Sequence, residues 1–133
     1  MRTVESKTGK IKKSAGQIFG FLSDFRNFER FIPKDKVQDW SCTQDTCSFN
    51  VMGIGSAGLK ITEKNPDSFI KISSDQQTPI KFQGWVDIQP VDDTTSNVRI
   101  TLQPDVNPIM MSMIQSQLKS FADELITQLE KIV

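Results

Sequence analysis

Residues 107–133 read NPIMMSMIQSQLKSFADELITQLEKIV, and this stretch decides the fold. Asn107 suits an N-cap, because its side-chain oxygen can accept from an early helical N–H. Pro108 comes next at the first helical position, where a missing N–H costs nothing and the fixed φ is already helical. No glycine or further proline interrupts residues 109–133. Met110, Ile114, Leu118, Phe121, Leu125, Leu129 and Ile132 recur at spacings of three and four, as one apolar stripe of a helix does. Ser112, Ser116, Lys119, Asp123, Thr127 and Glu130 lie opposite it. A helix with one dry and one wet face must pack on something, so the rest of the chain is read as the surface that receives it.

Working outward, the period changes from 3.6 to two. Val37–Cys42, Cys47–Met52, Ala57–Glu63, Phe69–Ser74, Ile80–Ile88 and Asn97–Leu102 read as strands. Gly53-Ile54-Gly55, Asn65-Pro66-Asp67-Ser68, Asp75-Gln76-Gln77-Thr78 and Asp92-Asp93-Thr94-Thr95 punctuate them as turns. Connections this short favour antiparallel hairpins. Phe82, Gly84, Val86 and Ile88 share one face; Lys81, Gln83, Trp85 and Asp87 share the other. Leu59/Ile61, Ile70/Ile72 and Val98/Ile100/Leu102 alternate with polar neighbours in the same way. An antiparallel sheet covered on one face is the expected result. Near the start of the chain, Val4 and Ile11 flank Gly9 and predict an edge-like strand bulged at the glycine. Ser14-Ala15-Gly16-Gln17 fits a capping box opening a short helix, and Asp24 can cap a second that stops before Pro33.

The 133 residues suffice for one domain, and 1–133 reads as a single unit. Sixteen basic and sixteen acidic residues cancel and are scattered, so nothing draws in nucleic acid. No apolar run is long enough for stable membrane insertion. MRTVESK lacks the apolar core of a signal peptide, which leads to the expectation of a cytoplasmic protein. Cys42 and Cys47 flank a polar turn at a spacing that is not a zinc pattern without histidine; they are expected to be free, dispensable thiols. No metal site and no cofactor is implied.

Catalytic chemistry has few carriers. There is no histidine and no tyrosine. Asp24 is better explained as a cap, Asp87 lies on the wet face, and Glu63 is one more carboxylate near a predicted strand. Asp39 is ambiguous, because Val37 and Trp40 pull the strand assignment in opposite directions. Ser14 and Ser41 lack a base partner. Gly53-x-Gly55-x-x-Gly58 opens no helix and so lacks the context of a phosphate loop.

The order strand, two short helices, six strands, long helix resembles the helix-grip fold of the START and Bet v 1-like superfamily, which includes polyketide cyclase/dehydrase-like proteins. Three places carry the resemblance. SAGQIFGFLSDFRNFERFIP (14–33) looks like the family's helix pair, with Leu22 and Asp24 at its L-x-D step. Phe82–Ile100 looks like its last hairpin, and the 107–133 helix is the third. The resemblance implies an α+β fold: a seven-stranded antiparallel sheet wrapped around a long C-terminal helix, with two short helices between strands 1 and 2. It also implies an apolar cavity that takes lipids, sterols, polyketides or similar molecules. The iron-binding oxygenase members use histidines for their metal, so that branch is excluded here.

The expectation is therefore a binding protein, without catalytic residues, for a small hydrophobic molecule or lipid. Two alternatives stay open: a cyclase- or dehydratase-type enzyme on a polyketide-like substrate, and a protein-interaction module whose cavity has closed. The missing histidine and tyrosine favour binding over catalysis. The expected lining is Phe28, Phe49, Val51, Leu59, Ile61, Ile72, Phe82 and Val86 from the body, with Met110, Met113, Ile114 and Gln117 from the helix. Phe31 joins Phe28 at the same end if the family geometry holds. Phe121, Leu125 and Leu129 should plug the floor. The methionines Met110, Met111 and Met113, with Met52, suit an adaptable surface; Met113, at the stripe's edge, leaves a homodimer contact open.

Overall fold

In the computed structural model, residues 3–30, 37–51, 55–66, 68–74 and 81–132 are described. Elements run β1 (Val4–Glu5), β2 (Gly9–Ile11), α1 (Ala15–Leu22), a 3-10 helix (Phe25–Arg30), β3 (Val37–Cys42), β4 (Thr46–Val51), β5 (Gly55–Asn65), β6 (Phe69–Ser74), β7 (Phe82–Asp92), β8 (Thr95–Pro104) and α2 (Pro108–Ile132). The strands form one sheet in the order β1-β8-β7-β6-β5-β4-β3, with β2 also on β8. Every pairing is antiparallel.

The alternation expected from the sequence is realised as rows across the sheet. Ile61 faces Ile72, which faces Gly84, then Leu102, then Val4. Beside that row runs Ile70, Val86 and Ile100. Ile70, Ile72, Val86, Ile88 and Val98 are buried. On the wet face Lys71 lies over the Trp85 ring, 5.6 Å from its centroid, and Arg99 pairs with Glu5 at 3.9 Å.

The first strand is two short ones. Between them Ser6 covers the break: its N–H donates to the Ile100 carbonyl (2.8 Å), and its Oγ accepts from the Ile100 N–H (2.9 Å). The caps form as read. Ser14 and Gln17 make the reciprocal capping box of α1, and the Met110 N–H donates to Asn107 Oδ1 at 2.8 Å. Asp24 accepts from the Arg26 backbone N–H (3.0 Å) and from its guanidinium (2.6 Å).

α2 packs chiefly on β8, β2 and β1. Its buried residues are Met111, Ala122, Leu125, Ile126 and Leu129. The stripe is thus turned toward β2 relative to the one read from spacing: Met111 replaces Met110 inside, and Ala122 and Ile126 join the core. The cause is close approach at Gly9, where a Cβ would collide with Cγ2 of Ile126. Asp123 and Thr127, read as solvent-facing, instead receive the Lys7 backbone N–H (2.7 Å) and the Lys7 ammonium (2.6 Å). α1 covers β6 and β7 near Ile18 and Leu22. The 3-10 helix presents Phe25 and Phe28 edge to face, 5.1 Å between centroids.

Cys42 and Cys47 correct an expectation: they are joined in a disulfide, not free. Thr43 and Thr46 form the hydrogen-bonded pair that closes the hairpin (Thr43 N–H to Thr46 carbonyl, 2.9 Å). The next pair, Cys42 opposite Cys47, then falls in the close non-hydrogen-bonded position, with Cα atoms 4.1 Å apart. Strand parity alone brings these two side chains together.

Candidate functional site

The dry face of the sheet and α2 are packed unevenly along the helix. At the C-terminal end of α2, Leu125, Ile126 and Leu129 join Ile11, Ile18, Leu22, Ile88 and Val98 in a continuous buried core. At the N-terminal end the cover thins. Ile114, Leu118 and Phe121 are only half-buried, so Phe121 does not plug the floor with Leu125 and Leu129 as expected; Leu59, Ile61, Phe82, Ile100 and Leu102 on the dry face are half-buried too. Of these, Leu59, Ile61, Ile100 and Phe121 pack against the core on one side, and partly uncovered apolar side chains of this kind are what a hydrophobic ligand would complete.

Of the expected lining, Phe28, Phe49, Ile72 and Val86 are buried, and Leu59, Ile61, Phe82 and Ile114 are half-buried. Leu59 pairs with Cys47, beside Phe49, and Ile61 pairs with Ile72, so these residues share one patch. Met110, Met113 and Gln117 do not join it. Met113 is 71% exposed, Met110 is exposed, and Gln117 faces solvent. Their positions result from the turn of α2 that puts Met111 inside. The Val51 side chain lies outside the described residues, as do Phe31, Met52, the residues 53 and 54 of the glycine-rich turn, the 75–78 turn and the Ile80 start of a strand. Asp67 and the Ile132 side chain do too.

Trp40 is the residue that sequence reading undervalued. β3 pairs Gln38 with Asn50 and then Ser41 with Ser48, so Asp39 and Trp40 both stand against Phe49. That bulge explains why Trp40 breaks the period of the strand: the extra residue changes its parity; the Val37 side chain lies outside the described residues. Asp39 takes the left-handed conformation, φ 57°, which short polar side chains tolerate best among non-glycine residues. A relay holds it there. Asn50 Nδ2 donates to Asp39 Oδ2 (2.7 Å), and Ser56 Oγ donates to Asn50 Oδ1 (2.6 Å), linking β3, β4 and β5. Trp40 is thereby turned onto the dry face, where it stacks on Phe49 with centroids 5.0 Å apart and planes 28° apart. The signal was present in the sequence: V-x-x-W inside a strand breaks period two.

Among the described residues the carboxylates show no catalytic pairing. The side-chain hydrogen bond from Arg26, helped by its backbone N–H and charge, holds Asp24 below the ordinary carboxylate range. Hydrogen bonds from the Thr94 backbone and hydroxyl do the same for Asp92 in its turn. Both are depressed, as in structural caps and turns; a general acid would need the opposite shift. Among the described residues no group of three or more histidine, cysteine, aspartate or glutamate side chains could hold a metal ion. No helix among them is long and apolar enough to cross a membrane.

No protein-family model matches the sequence, and no curated protein matches it. Solved structures do match. A START superfamily protein from Mycobacterium smegmatis aligns over 97% of this chain and 94% of its own, at 17% identity and a TM-score of 0.76. The di-domain ARO/CYC protein BexL of the BE-7585A biosynthetic pathway aligns over 98% of this chain and 46% of its own, at 14% identity and 0.74. Norcoclaurine synthase from Thalictrum flavum, solved with dopamine and hydroxybenzaldehyde, aligns over 99% of this chain and 88% of its own, at 8% identity and 0.70. At such identities the likeness speaks to architecture, and together with the strand topology it establishes that this chain has the helix-grip fold, the architecture of the START superfamily structure it matches.

Proposed function

We propose that the protein binds a small hydrophobic molecule or lipid between the dry face of the sheet and the N-terminal half of α2, without chemically transforming it. The observation that carries this reading is the uneven packing: Leu59, Ile61, Ile114, Leu118 and Phe121 are left half-covered while the other end of the same layer is closed. A fold neighbour solved with two small aromatic molecules supports the binding part of this reading, by analogy of architecture alone. The lack of any histidine or tyrosine and the structural roles of Asp24 and Asp92 weigh against the cyclase-type reading. The Cys42–Cys47 bridge belongs more naturally to an oxidising compartment than to the cytoplasm expected from the sequence.

The experiment is a pair of truncations, each assayed by thermal melts and by titration with a naphthalene dye or fluorescent fatty acid. Leu125→Ala should cost about 2–5 kcal/mol, as a core truncation does. Ile114→Ala should cost less, because the removed atoms border uncovered surface, and it should weaken probe binding more than Leu125→Ala does. Equal destabilisation by both, with no probe bound by the parent protein, would refute the binding reading and leave an interaction module with a filled interior.

A further inference from the structure

Buried polar groups in this protein are matched with care. Ser96, fully buried, donates its hydroxyl to the Lys13 carbonyl at 3.1 Å. Ser6 uses its hydroxyl twice, toward the Lys7 carbonyl and the Ile100 N–H. Against that pattern one buried side-chain polar atom among the described residues has no hydrogen-bond partner, and it is Nε1 of Trp40. A buried donor without an acceptor costs free energy that phenylalanine at the same place would not. The cost is incurred at a position that the fold goes out of its way to define: the bulge, the left-handed Asp39 and the Asp39–Asn50–Ser56 relay all fix where the indole sits. Its ring stacks on Phe49 and, like Leu59 and Ile61, is partly buried against the core; Leu59 lies opposite Cys47, two residues from Phe49 on the same face of β4.

We infer that the Trp40 indole N–H is the polar anchor of the proposed interior site, so that its ligand is an apolar molecule carrying a hydrogen-bond-acceptor oxygen, such as a ketone, aldehyde or ester. The inference rests on the binding reading and sharpens it. Apolar walls give a ligand affinity without orientation; one fixed donor among them selects for an acceptor at one point of the molecule. An indole offers a donor and no acceptor, so the complementary group on the ligand is defined by chemistry alone.

The test compares 2-acetylnaphthalene, which has an acceptor oxygen, with 2-ethylnaphthalene, which is close in shape and has none. Two readouts are taken on the full chain. In the parent protein with 15N-labelled tryptophan, the two indole N–H resonances belong to Trp40 and Trp85, and the Trp40→Phe variant identifies which is which. Binding of 2-acetylnaphthalene should move the Trp40 indole proton downfield, as a new hydrogen bond does, and 2-ethylnaphthalene should not. In parallel, Trp40→Phe, which keeps a ring against Phe49, should weaken 2-acetylnaphthalene by about two- to tenfold and leave 2-ethylnaphthalene unchanged. If the parent binds both probes and the indole resonance does not move downfield with the ketone, or if the variant weakens both probes equally, Trp40 is only part of the wall; the anchor is refuted while the binding site survives. If the parent binds neither probe, the site and its anchor fall together. The resonance of the parent protein decides the matter even if the variant folds poorly.

Discussion

Gly9→Ala should destabilise the protein through a single collision. The added Cβ would overlap Cγ2 of Ile126, a fully buried residue in the middle of the packed half of α2. That methyl sits directly on a β-branched carbon, and in a helix such a side chain has one strongly preferred rotamer, so it cannot swing aside cheaply. Either β2 or α2 must shift. Overpacking of this kind costs about 1–3 kcal/mol. With an unfolding entropy of about 2.1 cal/mol/K per residue, this chain should lose roughly 4–11 °C of melting temperature. Circular dichroism melts of four proteins test the assignment: parent, Gly9→Ala, Ile126→Ala and the double variant. Ile126→Ala alone should cost about 2–5 kcal/mol, but it removes the clashing methyl. The double variant should therefore be more stable than the sum of the singles predicts, by most of the Gly9→Ala cost. Gly20→Ala is the control: nothing lies within 4 Å of a Cβ there, and a helical glycine replaced by alanine should gain up to about 1 kcal/mol. A Gly9→Ala protein that melts with the parent, or costs that simply add, would refute the close contact between β2 and α2.

The disulfide and the Asp24 cap each carry an outcome of their own. The Cys42–Cys47 bridge closes only the short Thr43–Thr46 turn, so its loss in a Cys42→Ser, Cys47→Ser double variant should cost at most about 2 kcal/mol; a chemical-denaturation curve showing no change would return the pair to the dispensable role expected from the sequence. Asp24, whose pKa is depressed in the folded state by Arg26, contributes stability above the ordinary carboxylate pKa of about 3.9 and loses it as pH falls through the folded value. The melting-temperature gap between parent and Asp24→Asn should thus be open at neutral pH and close in acid, and a gap that persists unchanged at about pH 2 would contradict the assignment.

The long helix, the strand alternation and the capping box were legible because each is a local pattern with one physical reading. What was not legible depended on how elements meet. The turn of α2 that hides Met111 and exposes Met110 is set by Gly9 pressing on Ile126, two residues far apart in the chain. The Cys42–Cys47 pairing depends on which rung of the hairpin is hydrogen-bonded, and that is fixed by the Thr43–Thr46 pair. The first strand divides because Ser6 makes bonds to Ile100 from both its backbone and its side chain. The bulge at Asp39 and Trp40 lay between these cases: its signature was visible as a parity conflict, but only the register against Phe49 shows that the conflict turns the indole inward. The exposure of Met113 and Gln117 likewise comes from helix rotation, which an apolar stripe this broad does not specify.

Lys7 reaches Asp123 and Thr127 across 116 and 120 residues of chain. During synthesis, therefore, β1 and β2 emerge early but have no edge to join until β8 exists, and β8 has no cover until the 25 residues of α2 are made. At about 5–20 residues per second the ribosome needs one to several seconds to deliver that helix. For that interval the part of the apolar face that α1 does not cover stays open, and a nascent-chain chaperone or a dilute population of translating ribosomes decides whether it meets its helix or another copy. Within residues 1–133 the order of manufacture runs opposite to the order of assembly, since β1 and β2 dock on β8 and α2, which are both made after them.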